Sequence, residues 1–257
     1  AYEIPKRDWS SDVCSSDLDP SSFTAMPAAF WSNCEVTVKP DEPPQWIDDL
    51  ADEVEIARLC EMGVIQHAKD FVGAAVDEHK LSTKFVRDWR LKQFKPLDTK
   101  DDDNKGPVMK WLRRSRLVAR EFAFLEKRQD VYSPASSTHI LNLLPLMWLK
   151  RQSDMDEVAG GATAEEQVLA TLDVKDAFLE VPQPTPLKVW LNNQWFVVLR
   201  NLPGQRLGAR AWYWFIREYL TDKMQFEWCS IDPCLARSKD SVILHVDDIL
   251  YVGNQSQ

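Results

Sequence analysis

Glycine is scarce in this 257-residue chain, with eight against fifteen prolines. A collagen-like repeat is excluded, and so is a chain disordered throughout, because 44% of the residues are hydrophobic. Long apolar runs are also lacking. The longest, 140–149, is ten residues and holds Asn142 and Pro145, whereas a bilayer-spanning helix needs about 20 apolar residues. The N-terminal residues lack the charged-then-apolar pattern of a secretory leader. Cysteines are few and unpaired in spacing: Cys14, Cys34, Cys60, Cys229 and Cys234. No histidine lies near Cys229 or Cys234, so neither a disulfide framework nor a zinc site is expected. Four scattered histidines, His67, His79, His139 and His245, form no motif. No internal repeat is visible. The expectation is a soluble intracellular protein of one or two domains, with a real core and no membrane partner.

What charge there is has an uneven distribution. The chain carries 31 Lys and Arg against 40 Asp and Glu, a net of −9. Taken alone, that balance argues against nucleic-acid binding. Residues 84–128, however, hold fourteen basic against seven acidic residues, a net of +7. A basic stripe on an acidic chain is compatible with a nucleic-acid or phosphate ligand.

The first forty residues are rich in Ser, Asp and Pro and show no sustained period, which predicts disorder. Within them, RDWSSDVCSSDL at 7–18 looks like a translated sequencing-adapter remnant; an intact codon run in genomic DNA would refute that reading. Order is predicted from Pro43-Pro44. Ile47, Leu50, Val54 and Ala57 recur at helical spacing over 46–61, with acids between them. Strands are predicted at 84–89 and 112–119, on either side of a polar turn at 101–107. Ser136, Ser137 or Thr138 is positioned to cap a helix running to about Lys150, kinked at Pro145. A loop is predicted over 154–167 and a buried strand over 168–174. Runs 187–191 and 195–199, joined by Asn192-Asn193-Gln194, read as a hairpin. A helix fits 209–223, with Trp212, Phe215, Ile216, Tyr219 and Leu220 on one face. Two last strands, 242–246 and 249–252, are separated by Asp247-Asp248. Strands and helices mix without strict alternation, so the fold class is α+β.

The acids carry the chemistry. In VILHVDDILYVG, 242–253, two carboxylates sit between large apolar residues. An ordinary hairpin with a polar tip is one reading. Against it, neighbouring carboxylates in an apolar setting repel and are poorly solvated unless a cation compensates. Mg²⁺ is the expected cation, since it takes a few carboxylates plus water and substrate phosphate. TLDVKDAFL, 171–179, places Asp173 and Asp176 after a buried strand. If the two strands lie side by side, Asp173, Asp247 and Asp248 form a cluster able to hold two Mg²⁺. Such a pair suits in-line displacement at phosphorus, one ion activating a 3′-hydroxyl and the other holding a triphosphate.

Five segments in order resemble the reverse transcriptase of copia-type retrotransposons: RSRLVAREF at 114–122, DVYSPASSTHILNLL at 130–144, LDVKDAFL at 172–179, NLPGQRLGARAWYW at 201–214 and HVDDILYVG at 245–253. The resemblance spans about 46–253. It implies a right-hand polymerase with a ferredoxin-like palm sheet. In family terms, 1–42 is a disordered N-terminal segment, 43–125 are fingers, 126–182 the first part of the palm, 183–206 a return to the fingers, and 207–257 the second part of the palm. The later palm strands, thumb and RNase H are expected to be missing, because the chain stops nine residues after Asp248.

The same resemblance implies residue roles. Asp173, Asp247 and Asp248 match the catalytic, metal-binding aspartates, holding two Mg²⁺ with Mn²⁺ as a substitute. The backbone amides of Asp176 and Ala177 meet the triphosphate. Phe178 matches the steric gate that favours deoxynucleotides; its plain alternative is a core aromatic. Arg114 and Arg116 match triphosphate contacts, and Gly204 lets the backbone approach the nucleotide. Lys110, Arg120 and Arg206 match nucleic-acid contacts, though a solvated strand face explains the basic strand too. The implied partners are an RNA or DNA template-primer, deoxynucleoside triphosphates, and the integrase and RNase H domains of a polyprotein. The implied location is intracellular: the cytoplasm, in a virus-like particle, and the nucleus. There are departures: His245 replaces the usual aromatic residue before Val-Asp-Asp, and Pro203 stands where the family has Tyr. Rival readings are an inactive fragment that only binds nucleic acid, and a Mg²⁺ phosphotransferase built on Asp173 and Asp176. The second leaves Asp247-Asp248 and the basic strand unexplained.

Overall fold

The computed structural model describes residues 34–73, 75–94, 108–121, 132–158 and 167–254. Of the segment expected to be disordered, 1–42, residues 1–33 with the adapter-like stretch lie outside them, as do the turn at 101–107 and the loop residues 159–166. Residues 34–42 are described and hold a buried Cys34 and the strand Glu35–Val36, so order begins before the expected Pro43. The fold is mixed α+β, with antiparallel sheets and one parallel pairing. Among the described residues no helix is long and apolar enough to cross a membrane. The chain divides into two units, each discontinuous. Of the described residues, a basic-strand unit takes those of 34–121 and 178–208, and an aspartate unit takes 132–177 and 209–254.

In the basic-strand unit, β1 (Glu35–Val36), β4 (Thr83–Phe94) and β5 (Val108–Ala119) form an antiparallel sheet in the order β1-β5-β4. Helix α1 (Gln45–Glu61) packs on β5, and Ala51 and Val54 bury against Leu112 and Cys34. The helix stops at Gly63, whose φ of +66° suits glycine, with the Val64 N–H bonded back to the Leu59 carbonyl at 2.9 Å.

Three acids of α1 are buried, while Asp49, Glu53 and Glu61 stay exposed. Asp48, Asp52 and Glu55 recur at helical spacing and meet a matching set of partners. Arg113 donates to Asp48 at 2.6 Å, Arg87 grips Asp52 through Nε and a terminal nitrogen at 2.9 and 2.6 Å, and the Ser115 hydroxyl donates to Asp52 at 2.6 Å. Glu55 takes both Arg58, at 2.8 and 3.0 Å, and the backbone N–H of Leu117. Removing Arg113 or Arg87 takes the cation from a buried carboxylate, so these two pairs fix how α1 docks on the sheet.

The second sheet of this unit joins β2 (Ile65–His67), β3 (Asp77–Lys80), β7 (Pro182–Leu191) and β8 (Gln194–Arg200) in the order β2-β8-β7-β3. Its core holds Leu59, Val64, Ile65, Leu117, Val189, Phe196, Val198 and Leu202. The expected hairpin is present: Asn192 and Asn193, at φ 42° and 60°, close β7 onto β8 as a type I′ turn requires.

In the aspartate unit, β6 (Gln167–Asp173), β12 (Asp248–Asn254), β11 (Ser241–His245), β10 (Leu235–Arg237) and β9 (Glu227–Trp228) form an antiparallel sheet in that order. Helix α2 (Thr138–Val158) seats Leu144 on Ile243 and Val252. Its cap is Ser137, whose hydroxyl accepts the Ile140 N–H at 3.3 Å. The helix takes in Pro145, outruns the expected end near Lys150 and includes 154–158, because the stretch 151–158 is polar but holds no Gly or Pro to break it. Helix α3 (Gly208–Met224) buries Trp212, Tyr213, Ile216 and Leu220.

Candidate active site

Strands β6 and β12 are neighbours. Their ladder runs without a shift from Asn254 opposite Gln167 to Asp248 opposite Asp173. It continues one step further, where the Val174 N–H donates to the Asp247 carbonyl at 3.1 Å. The two acidic segments, about 75 residues apart in sequence, therefore end at one corner of one sheet. Asp173 and Asp248 are exposed there, while Asp247 and Asp176 are half-buried.

The turn bearing Asp247 is not centred where the sequence suggested. Its two residues are Val246 and Asp247, and Asp248 already belongs to β12. Val246 has φ +61°, a conformation β-branched residues disfavour. Two tertiary contacts hold it. The Trp212 indole N–H donates to the Val246 carbonyl at 2.7 Å, and His245 Nδ1 shares a 3.0 Å hydrogen bond with the Ser136 hydroxyl. Strain of this kind persists only where surroundings over-determine it. Gly253 has its own local reason: a Cβ there would collide with the Tyr251 hydroxyl and the Asp240 carboxylate, which are hydrogen-bonded at 2.9 Å.

The electrostatics at this corner are those of crowded anions. Burial, then the charges of Asp247, Asp248 and Asp176, push the Asp173 carboxyl above its ordinary range. Among the described residues, no three His, Cys, Asp or Glu side chains converge closely enough to enclose a metal ion. The donor set is nonetheless oxygen-only and anionic, which fits a hard divalent cation and no softer metal. Asp176 sits at φ +57°, a conformation Asp tolerates. The Ala177 N–H donates to the Val174 carbonyl at 3.2 Å, so this turn already engages one of the two amides expected to meet a triphosphate.

The remaining expected residues lie in the basic-strand unit. Of the basic residues along β5, Arg113 is held by Asp48 and Lys110 by Glu35 at 2.8 Å. That internal pair counts against Lys110 as a nucleic-acid contact. Arg114 and Arg116 alternate with Arg113 and Ser115 along the strand. Arg116 stands 3.6 Å from Asp88, which also binds Arg90 at 3.0 Å. Burial, then Arg116, lowers the affinity of Arg114 for its proton. Arg120 is exposed, and its N–H donates to the Ser82 carbonyl. The Arg206 N–H donates to the Glu121 carboxylate at 3.0 Å.

Phe178 is half-buried at the start of a short 3₁₀ turn, Ala177–Glu180, with its ring against Gly208. Gly204 has φ +89°, and a Cβ there would run into the Ala119 carbonyl oxygen. Packing within the unit is thus sufficient reason for glycine at that position. Sequence reasoning missed Asp88, one of whose oxygens is buried without a hydrogen-bond partner. It also missed the acids of α1, whose spacing was the available signal. No protein-family model and no curated protein matches this chain.

Proposed function

We propose that this chain is the fingers and partial palm of a copia-type reverse transcriptase, an RNA-directed DNA polymerase adding deoxynucleotides to a primer 3′ end. The observation that supports it is the β6–β12 ladder, which sets Asp248 opposite Asp173 with Asp247 in the adjoining turn. Two acidic segments distant in sequence meet at one sheet corner, and desolvation, together with three neighbouring carboxylates, raises the pKa of Asp173. Such a corner favours binding positive charge.

In this reading Asp173, Asp247 and Asp248 hold two Mg²⁺, or Mn²⁺. When bound, the ions supply Lewis-acid stabilisation of the attacking and leaving oxygens. The protein's own part is positioning. The ladder fixes Asp173 against Asp248, and Trp212 and Ser136 fix the turn that carries Asp247. Arg114 and Arg116 offer guanidinium groups to phosphate oxygens, and Arg remains charged at neutral pH despite burial. Phe178 fills the space of a ribose 2′-hydroxyl. Template-primer and deoxynucleoside triphosphates are the partners, with integrase and RNase H domains in the intact element, in a cytoplasmic particle and the nucleus.

Primer extension on an RNA template with Mg²⁺, beside Asp247→Asn and Asp248→Asn, tests the reading. Extension by wild type that both variants lose is expected; full extension by Asp247→Asn overturns it. An inactive fragment that only binds nucleic acid is the second reading, favoured by the absence of a converged three-residue metal group among the described residues. Salt-dependent binding without Mg²⁺-dependent extension would select it.

A further inference from the structure

The β7–β8 hairpin carries two tryptophans that its own core does not use. The Asn192-Asn193 turn fixes the register and sets Trp190 directly opposite Trp195. Side chains alternate along a strand, and Val189, Leu191, Phe196 and Val198 take the other face into the core. The indoles are thus held outward. Trp190 remains 39% and Trp195 43% exposed, and the rings meet edge to face with centroids 5.0 Å apart at 66°. The hairpin backbone is anchored on both sides: Ala68 donates to the Trp195 carbonyl at 2.9 Å, and Leu81 to the Lys188 carbonyl at 2.8 Å.

Positive charge borders the pair. Lys80 places Nζ 5.6 Å from the centre of the Trp195 ring. Lys188 stands opposite Lys80 in the β3–β7 register and two residues before Trp190, hence on the same strand face. Flat exposed rings beside ammonium groups match one class of ligand: a flexible polyanion carrying flat bases. Bases stack on indole faces and phosphates meet the lysines. A neutral sugar also stacks on indole, but it gains nothing from ammonium groups, and a base-paired duplex hides its ring faces.

We infer that the outer face of the β7–β8 hairpin, formed by Trp190 and Trp195 with Lys80 and Lys188, is a stacking platform for single-stranded nucleic acid. The platform uses no residue of the aspartate corner. Its failure and that of the polymerase reading are therefore separate events.

The test is fluorescence anisotropy of the full chain with labelled twelve-residue oligothymidylate or oligouridylate at about 50 mM salt, where phosphate contacts are strong. Trp190→Ala and Trp195→Ala should each weaken binding roughly tenfold, while Trp195→Phe retains most of it. Lys80→Gln should reduce the slope of log affinity against log salt by about 0.7. Unchanged affinity in the double alanine variant, an equal loss for a blunt duplex, or no binding by wild type overturns the inference. If an alanine variant fails to fold, the wild-type chain decides through ultraviolet crosslinking to a bromodeoxyuridine oligonucleotide. Adducts on Trp190 or Trp195 support the platform, and adducts elsewhere alone, or none, overturn it.

Discussion

Gly204→Ala separates a packing role from a ligand role at one residue. Gly204 sits at φ +89°, and a methyl group there meets the Ala119 carbonyl oxygen. That oxygen has little room to retreat. The Ala119 N–H is tied to the Pro203 carbonyl at 2.7 Å, and Ala119 is paired with Thr83 at the end of β5. An L-residue with left-handed backbone costs about 1–2 kcal/mol. Overpacking against a fixed neighbour adds about 1–3 kcal/mol. The sum is about 2–5 kcal/mol, which at about 2–4 °C per kcal/mol for a chain of this length lowers Tm by about 4–20 °C. Thermal melts of wild type and variant by circular dichroism read this directly. A melt within about 2 °C of wild type, together with a raised KM for deoxynucleotides, would refute the packing argument and return Gly204 to a nucleotide-facing role.

Asp52→Ala leaves Arg87 and the Ser115 hydroxyl without their shared partner; a loss of about 3–5 kcal/mol in urea unfolding is expected, and a loss below about 1 kcal/mol would contradict it. Asp173 has a raised pKa in the folded chain, so the folded state keeps its proton longer than the unfolded state, and stability falls as pH rises from the unfolded pKa through the folded one. Asp173→Asn should therefore raise Tm near neutral pH and leave it unchanged below the ordinary carboxylate range; an equal gain at both would exclude charge crowding as the cause. Phe178→Val, in an active polymerase, should increase ribonucleotide incorporation, and unchanged sugar selection would remove Phe178 from the gate.

Elements with local causes were legible in the sequence. The Asn192-Asn193 turn and helices α1 and α3 follow from turn chemistry and periodicity. The side-by-side strands on which the aspartate cluster was conditional are present as β6 and β12. What the sequence hid depends on partners far along the chain. Asp52 and Asp48 of α1 find their partners in Arg87 and Arg113, 35 and 65 residues away. The turn at Val246-Asp247 defeats the local preference for Asp-Asp at the tip, because Trp212, 34 residues earlier, and Ser136, 109 residues from His245, hold it there. Lys110 reads as a free basic residue until Glu35 is seen to occupy it.

The interleaving of the two units imposes an order of events on synthesis. The basic-strand unit has all its strands once residue 200 has left the ribosome, because β8 is its last. The aspartate unit cannot close its sheet until β12 exists, since β12 is the strand between β6 and β11. Asp173 thus waits through the translation of about 75 further residues before Asp248 arrives opposite it, a long-range pairing of the slow-forming kind. A nascent chain halted before residue 248 carries the complete strands of the basic-strand unit without the paired acidic corner.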